Sequence, residues 1–211
     1  MQANHDPMKR FFLPLVLLVF VSCTITYKRN VKVEFNRQDE TTLTEFLNLN
    51  NVTYDPNDML ALRDINYFAF YNEKHGLEVP HAFFFNGDGI SVVNDFNGTN
   101  CGHVIKNLDK IENAKSDGAG TVDDFLLPST YLFGKPADET NGGKKYDAYI
   151  VITWGLFAES ISKGINKTSF KWYADLKKNN PEVRVFLLNL DIQKTWELSP
   201  EQQASLGMQK V

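Results

Sequence analysis

The sequence has few cysteines, no excess of basic residues and no long apolar segment. It contains two cysteines among 211 residues, too few to build a disulfide framework. Its formal charge of −4 argues against a general nucleic-acid binder, because such proteins carry a basic excess or stripe. The apolar run over residues 11–21 has 11 residues, whereas a helix needs ~20 to span a bilayer.

Several motifs that mark enzymes are also missing. The sequence contains no P-loop, no G-x-G-x-x-G, no G-x-S-x-G and no set of protein-kinase motifs. His75, His81 and His103 do not have the spacing of metal ligands, and no C-x-x-C pair is present. We therefore predict neither a metal nor a cofactor. The apolar fraction of 43% and the charged fraction of 23% indicate a globular chain of one domain or two small ones.

The amino terminus has the pattern of a secretory signal. Lys9 and Arg10 precede the apolar run 11–21, and Ser22 and Cys23 follow it. A basic start followed by about 7–15 apolar residues is typical of such signals. Met8 is the expected functional start, and Met1 is the alternative.

Residues 20–23, Phe-Val-Ser-Cys, resemble the lipobox of bacterial lipoproteins, with phenylalanine in place of the usual leucine. The resemblance implies that residues 1–22 are removed and that Cys23 carries lipid, with 23–30 as a tether. Thr24, rather than aspartate, follows the cysteine, which by analogy with enterobacterial sorting implies the outer membrane, facing the periplasm. The alternative is an ordinary secretory signal with an incidental cysteine.

Apolar patterns in the remaining chain predict an α/β protein. Strands are predicted at 31–35, 59–62, 81–85, 90–93, 148–154 and 183–190. Helices are predicted at 42–50, 64–76 and 101–114, through Phe170 to about Asn179, and from Ser199 onward. Residues 86–89, Asn-Gly-Asp-Gly, predict a β-hairpin.

The predicted elements fall into three segments. Residues 31–114 form one α/β unit, and 115–145 form an irregular connection with a short amphipathic piece. Residues 146–211 form a β-α-β unit, packed on the same sheet or as a second small unit.

The element order over 31–114 resembles the thioredoxin fold. Residues 79–85, with Gly89, look like that family's strand after its cis-proline, followed by a hairpin. A second likeness lies in 148–191, which is similar to the opening strand–helix–strand of thioredoxin-like lipoproteins. Either 31–114 is the thioredoxin-like unit, or the whole chain is a permuted or divergent α/β domain.

The second likeness also places the family's redox cysteines. In thioredoxin-like lipoproteins, the tryptophan that ends the first strand is followed four residues later by the first cysteine of a C-x-x-C pair. Counted from Trp154, the two cysteine positions hold Ala158 and Ile161. The resemblance therefore implies a thioredoxin-like domain without dithiol chemistry.

Two sets of side chains are candidates for a site. Cys101 lies at the start of a predicted helix with His103 nearby, and helix amides favour a reactive thiolate. The alternative for Cys101 is a small, partly buried side chain. The second set lies at the carboxyl ends of two predicted parallel strands, where open α/β sheets bind ligands, and Trp154 and Asp191 would contact the ligand. The alternative is that Asp191 caps the next segment and Trp154 fills an edge of the core. Its members are Thr153, Trp154, Asn189 and Asp191.

These observations predict a lipoprotein that is anchored in the bacterial envelope through Cys23. Its domain would have a non-catalytic binding or accessory role with an envelope protein as partner. One alternative is an envelope thiol enzyme that uses Cys101. Another is a cell-surface interaction protein.

Overall fold

A seven-stranded mixed sheet forms the centre of the computed structural model, which describes Val33 and residues 35–92, 108, 111, 114–133 and 146–208. The strands are β1 (Met59–Leu62), β2 (Ala82–Asn86), β3 (Ile90–Val92), β4 (Ser116–Thr121), β5 (Ser129–Tyr131), β6 (Ala148–Trp154) and β7 (Val183–Asn189). The described helices are α1 (Glu40–Leu49), α2 (Ile65–His75), α3 (Asp123–Leu126), α4 (Phe157–Ile161), α5 (Asn166–Asn179) and α6 (Pro200–Ser205). None of these helices is long and apolar enough to cross a membrane.

The order across the sheet is β4-β3-β2-β6-β7-β1-β5. Strands β6, β7 and β1 run parallel in the middle, β2, β3 and β4 continue antiparallel on one side, and β5 is antiparallel to β1. The predicted open-sheet α/β fold is confirmed, with its parallel β6–α5–β7 unit and its β2–β3 hairpin. Because β2 pairs with β6, segments 31–114 and 146–211 contribute to the same sheet.

Side chains alternate along the central strands and fill two cores, one on each face of the sheet. Tyr149 and Val151 of β6 pack with the buried residues of α2, on what we call the α2 face. Ile150 and Trp154 pack with those of α1 and α5, on the α5 face. Burial on both faces explains why β6 is a continuous apolar run in the sequence.

Local signals set the ends of several elements as predicted. The Asp64 carboxylate accepts the N–H groups of the first turn of α2, and the helix ends at Gly76, which has a φ of +72°. In the β2–β3 turn, the Asn86 side-chain oxygen accepts N–H groups from Asp88 and Ile90, at 3.1 and 3.0 Å. These bonds need only neighbouring residues, so the sequence predicts them well.

Near the amino terminus, the predicted strand 31–35 is wrong at its described positions, and the predicted helix is confirmed with an earlier start. Val33 and Phe35 belong to no strand, although both pack against the α2-face core. Helix α1 starts at Glu40 rather than at 42, because the Asp39 carboxylate accepts the Thr42 N–H at 2.9 Å and caps the helix. Alternation alone did not distinguish a strand from residues whose apolar side chains pack on the core without pairing in a sheet.

The predicted irregular connection 115–145 contains two strands that the sequence did not predict, β4 and β5, whereas the short amphipathic piece predicted within it is found as α3. Strand β4 is polar and glycine-rich because it lies at the edge of the sheet and packs little. Most of the predicted helix 101–114 falls outside the described residues. Ile111, one of its described members, is buried on the α5 face.

A buried ion cluster lies at the amino end of β1. The Asp58 carboxylate is fully buried and accepts a hydrogen bond from the Tyr173 hydroxyl, with the two oxygens 2.7 Å apart. It also binds the Lys177 ammonium at 2.8 Å and the Arg184 guanidinium. The Arg184 guanidinium donates a further bond to the Asn57 carbonyl, at 2.8 Å. The cluster therefore joins the turn before β1 to α5 and β7.

We expect Asp58→Asn to lower the free energy of unfolding by about 3–5 kcal/mol, because it leaves Arg184 buried without a counter-ion. Urea denaturation followed by circular dichroism measures this loss. The control is Asp175→Asn, which breaks the exposed Lys171–Asp175 pair of α5 and should cost less than about 0.5 kcal/mol. Equal losses in the two variants would contradict the role given to Asp58.

Candidate functional site

Strands β6 and β7 end side by side, with Trp154 opposite Asn189 in the register. The structure therefore brings together the polar group that was predicted beyond the two strands. Thr153 and Trp154 end β6, Asn189 ends β7, and Asp191 lies just beyond it. All four are buried, at this edge of the sheet.

Asp191 joins the segments that follow the two strands. Its two carboxylate oxygens accept the N–H groups of Leu156 and Phe157, at 2.8 and 3.0 Å. The Asn189 side-chain amide donates to the same carboxylate at 2.8 Å. Burial raises the pKa of Asp191 above its ordinary value, and the three N–H donors act in the opposite direction.

Asn166, at the start of α5, holds the same turn from the other side. Its side chain accepts the Gly155 N–H at 3.0 Å and donates to the Gly155 carbonyl at 2.9 Å. It also donates to the Glu159 carboxylate at 2.9 Å. A Cβ at Gly155 would lie 2.7 Å from the Phe157 ring, so glycine is required where the chain turns.

Thr153 and Trp154 make their contacts inside the protein. The Thr153 hydroxyl donates to the Glu78 carbonyl at 2.7 Å and accepts the His81 N–H at 3.0 Å. The Trp154 indole is fully buried and stacks on Phe46, with ring centroids 6.4 Å apart. A ligand-binding role for Trp154 and Asp191 stays a prediction.

Residues 35–38, which we call the strap, lie across this end of the sheet. The Gln38 N–H donates to the Ile192 carbonyl, and the Lys194 N–H donates to the Gln38 carbonyl, both at 2.7 Å. The Arg37 guanidinium donates to the Lys194 carbonyl at 2.7 Å and to the Trp196 carbonyl. The strap thus binds the segment that carries Asp191.

Phe35 inserts its ring into the α2 face. Its centroid lies 5.2 Å from that of Phe157 and 5.9 Å from that of Phe68 in α2. Ala158, which follows Phe157, is only 1% exposed and belongs to the same core. Ile161, at the other end of α4, is exposed. The two positions that the thioredoxin resemblance singled out are thus apolar, and the first is covered.

A shallow groove of about 310 Å³ runs between the strap and α4. Asn36 and Gln38 line one side, Glu159 and Ser160 the other, and Phe46 contributes an aromatic surface. The Glu159 carboxylate is already bonded to the Gly164 N–H at 2.6 Å. Leu156 and Phe157 also line the groove, and the Ser160 hydroxyl donates to the Phe157 carbonyl at 2.6 Å, so the surface is apolar with a few polar groups at its rim.

His75 and His81, which we call the histidine cluster, pack against aromatic rings on the α2 face. They lie near the cis peptide bond between Val79 and Pro80. The ring of Phe83 lies 4.6 Å from that of His81 and 5.1 Å from that of His75. Burial lowers the pKa of both histidines, and the Glu78 carboxylate, 3.2 Å from His81, opposes the shift at His81.

Comparison of the chain with protein-family models, with curated proteins and with solved structures returned no match. Cys23, Cys101 and His103 lie outside the described residues, so their predicted roles stay predictions. Within the part of the chain that the structure describes, no three His, Cys, Asp or Glu side chains are placed to hold a metal ion.

The sequence analysis missed Asn166, the strap and the histidine cluster. A polar residue at the start of a helix is a common signal, but nothing local indicates that Asn166 turns back to Gly155. The strap and the histidine cluster depend on contacts between distant segments, such as Phe35 with Phe157 and His75 with Phe125.

We expect Asp191→Asn to lower the free energy of unfolding by about 1–3 kcal/mol. An asparagine amide would point its –NH₂ group at the N–H of Leu156 or of Phe157, leaving a buried donor without an acceptor. Urea denaturation tests this, with the exposed Asp123→Asn as the matched change, expected within about 0.5 kcal/mol of wild type. A wild-type midpoint for Asp191→Asn would mean that the carboxylate does not hold the turn.

We expect stability to fall as the pH drops below about 6.5, the ordinary histidine value. The folded state disfavours protonation of His75 and His81, so below that pH the unfolded chain binds more protons than the folded one. Lys74 strengthens the effect at His75, whereas Asp124 weakens it there and Glu78 weakens it at His81.

Urea denaturation at a series of pH values measures this proton uptake. Unfolding of the wild type should take up as many as about two more protons than unfolding of the double variant H75Q/H81Q, and each single variant should lie between them. Parallel pH profiles for the wild type and the double variant would contradict the burial of these imidazoles in neutral form.

Proposed function

We propose that the protein is a lipoprotein of the bacterial envelope, anchored through Cys23, whose domain is a permuted thioredoxin-like fold without dithiol chemistry. Its role is then to bind an envelope partner or a ligand rather than to transfer electrons. The lipobox resemblance of residues 20–23 supports the anchor. The arrangement of the sheet and the covered Ala158 support the rest.

The sheet supports the permuted alternative. The resemblance assigns the opening strand–helix–strand to β6, α5 and β7, and the proline-led hairpin to β2 and β3. These two pieces are neighbours in one sheet, because β2 pairs with β6 over five residues from Ala82 to Asn86. Along the chain they come in the reverse order, as a permuted domain requires.

The observation that carries the proposed role is the filling of the region around Ala158. A dithiol enzyme needs its attacking thiolate accessible and stabilised by its surroundings. Here the corresponding position is a buried methyl group beside Phe157, and the ring of Phe35 packs against Phe157. Such an apolar, closed arrangement suits a scaffold that presents its outer surfaces to a partner.

We expect metabolic labelling with palmitate to mark the wild-type protein and to be lost in Cys23→Ala, because the acyl chains attach at that residue. Cys101→Ser is the matched control, and we expect it to keep the label and the membrane location. Soluble secretion of the unaltered wild type would exclude the anchor.

The same control separates the accessory role from the alternative thiol enzyme. A thiol enzyme would lose its activity in Cys101→Ser, so a gene with that change would not restore the phenotype of a deletion strain. We expect full restoration, because the proposed role uses no cysteine chemistry. Failure to restore the phenotype, with normal protein levels, would favour the enzyme.

A further inference from the structure

We propose that the exposed aromatic side of α2 lies against the membrane to which the protein is anchored. The inference rests on the proposed lipid anchor and adds an orientation to it. Tyr67 and Phe70 lie one turn apart on α2 and are 40% and 57% exposed. Lys74, one turn further, places its ammonium 5.9 Å from the centre of the Phe70 ring.

The exposed apolar side chains are unevenly distributed over the described part of the chain. Six large apolar residues are exposed there, and four of them belong to α2, to the turn after α3 or to α4, which all pack on the α2 face. These four are Tyr67, Phe70, Leu127 and Ile161. Of the other two, Leu49 lies at the end of α1 on the α5 face, and Ile90 is the first residue of β3.

The chain also enters the domain on the α2 face. Val33 packs against the core of that face, and the ring of Phe35 meets Phe68 of α2 edge-on. Nine residues separate Cys23 from Val33 in the sequence. Ten residue steps span at most about 36 Å, so a lipid on Cys23 limits how far from the bilayer surface the chain can enter the domain, and that entry is on the α2 face.

The chemistry of this surface suits the boundary between headgroups and acyl chains. Tyrosine and tryptophan are enriched there, because the ring enters the apolar layer and its polar group stays hydrated, and phenylalanine occurs on the apolar side of helices that lie at this boundary. Glu73 and Lys74 are adjacent in sequence and their charges offset each other, so no anionic lipid is required. Because the anchor already holds the protein at the bilayer, the aromatic side of α2 is present there at a high local concentration, and a weak contact with lipid is enough.

The test places a tryptophan on this surface of the full, lipidated chain. The variants are F70W and Y67W on α2, with L49W as the matched control, since Leu49 is 83% exposed on the opposite face. Each protein is reconstituted into phosphatidylethanolamine–phosphatidylglycerol vesicles with or without dibrominated acyl chains, and the emission of the wild type is subtracted. Circular dichroism checks that each variant is folded.

We expect brominated lipid to quench the added emission of F70W and Y67W about twofold and to leave that of L49W unchanged. Equal quenching of all three, or none at F70W and Y67W, would overturn the proposed orientation. A change in the F70W emission that depends on protein concentration and not on brominated lipid would indicate a second copy of the chain on this face. That result would also overturn the proposed orientation.

Flotation of the vesicles separates this proposal from the anchor on which it rests. If the proteins float with the vesicles and the α2 reporters are not quenched, the anchor holds and the orientation is wrong. If the wild-type protein does not float, the proposed anchor fails and the orientation fails with it.

Discussion

The buried carboxylate of Asp191 is the contact on which the candidate site depends. It lies beyond β7 and accepts two N–H groups from the turn beyond β6, so it joins the ends of two central strands. Asn189 bonds to the carboxylate, Gln193 bonds to Asn189, and Gln193 lies beside Gln38 of the strap. Burying a charge is costly unless hydrogen-bond donors surround it. The donors to Asp191 come from the turn after β6, which includes Phe157, and the contacts of Asn189 and Gln193 extend from the carboxylate to the strap.

A second buried carboxylate holds the opposite end of the parallel strands. Asp58 is bound by two cations and a tyrosine hydroxyl that come from α5 and β7. The central strands between these two ends are paired by backbone hydrogen bonds, but their side chains are largely apolar on both faces. Buried carboxylates at the two ends add directional side-chain contacts to a core that is otherwise held by apolar packing and backbone pairing.

The proposed role and the proposed orientation follow from the same face of the sheet. Phe35 of the strap packs against Phe157, next to the buried Ala158, which stands where the family's first redox cysteine would be. The strap also brings the chain into the domain beside α2, whose outer side carries Tyr67 and Phe70. The accessory role that we propose rests on these two features: the interior is closed to a substrate, and the outer surface is available for contact with the membrane or a partner.

The sequence by itself determined the local elements: the strands β6 and β7, the β2–β3 hairpin, and the caps of α2. Each of these depends on periodicity or on side chains a few residues apart, and the pairing of β6 with β7 followed from the parallel unit. Only the tertiary structure decided the rest, including the edge strands in 116–131, the strap and the pairing of Asp58 with Arg184. These features join residues that are far apart in the chain, and no local pattern specifies which distant partner satisfies a buried charge or covers a ring.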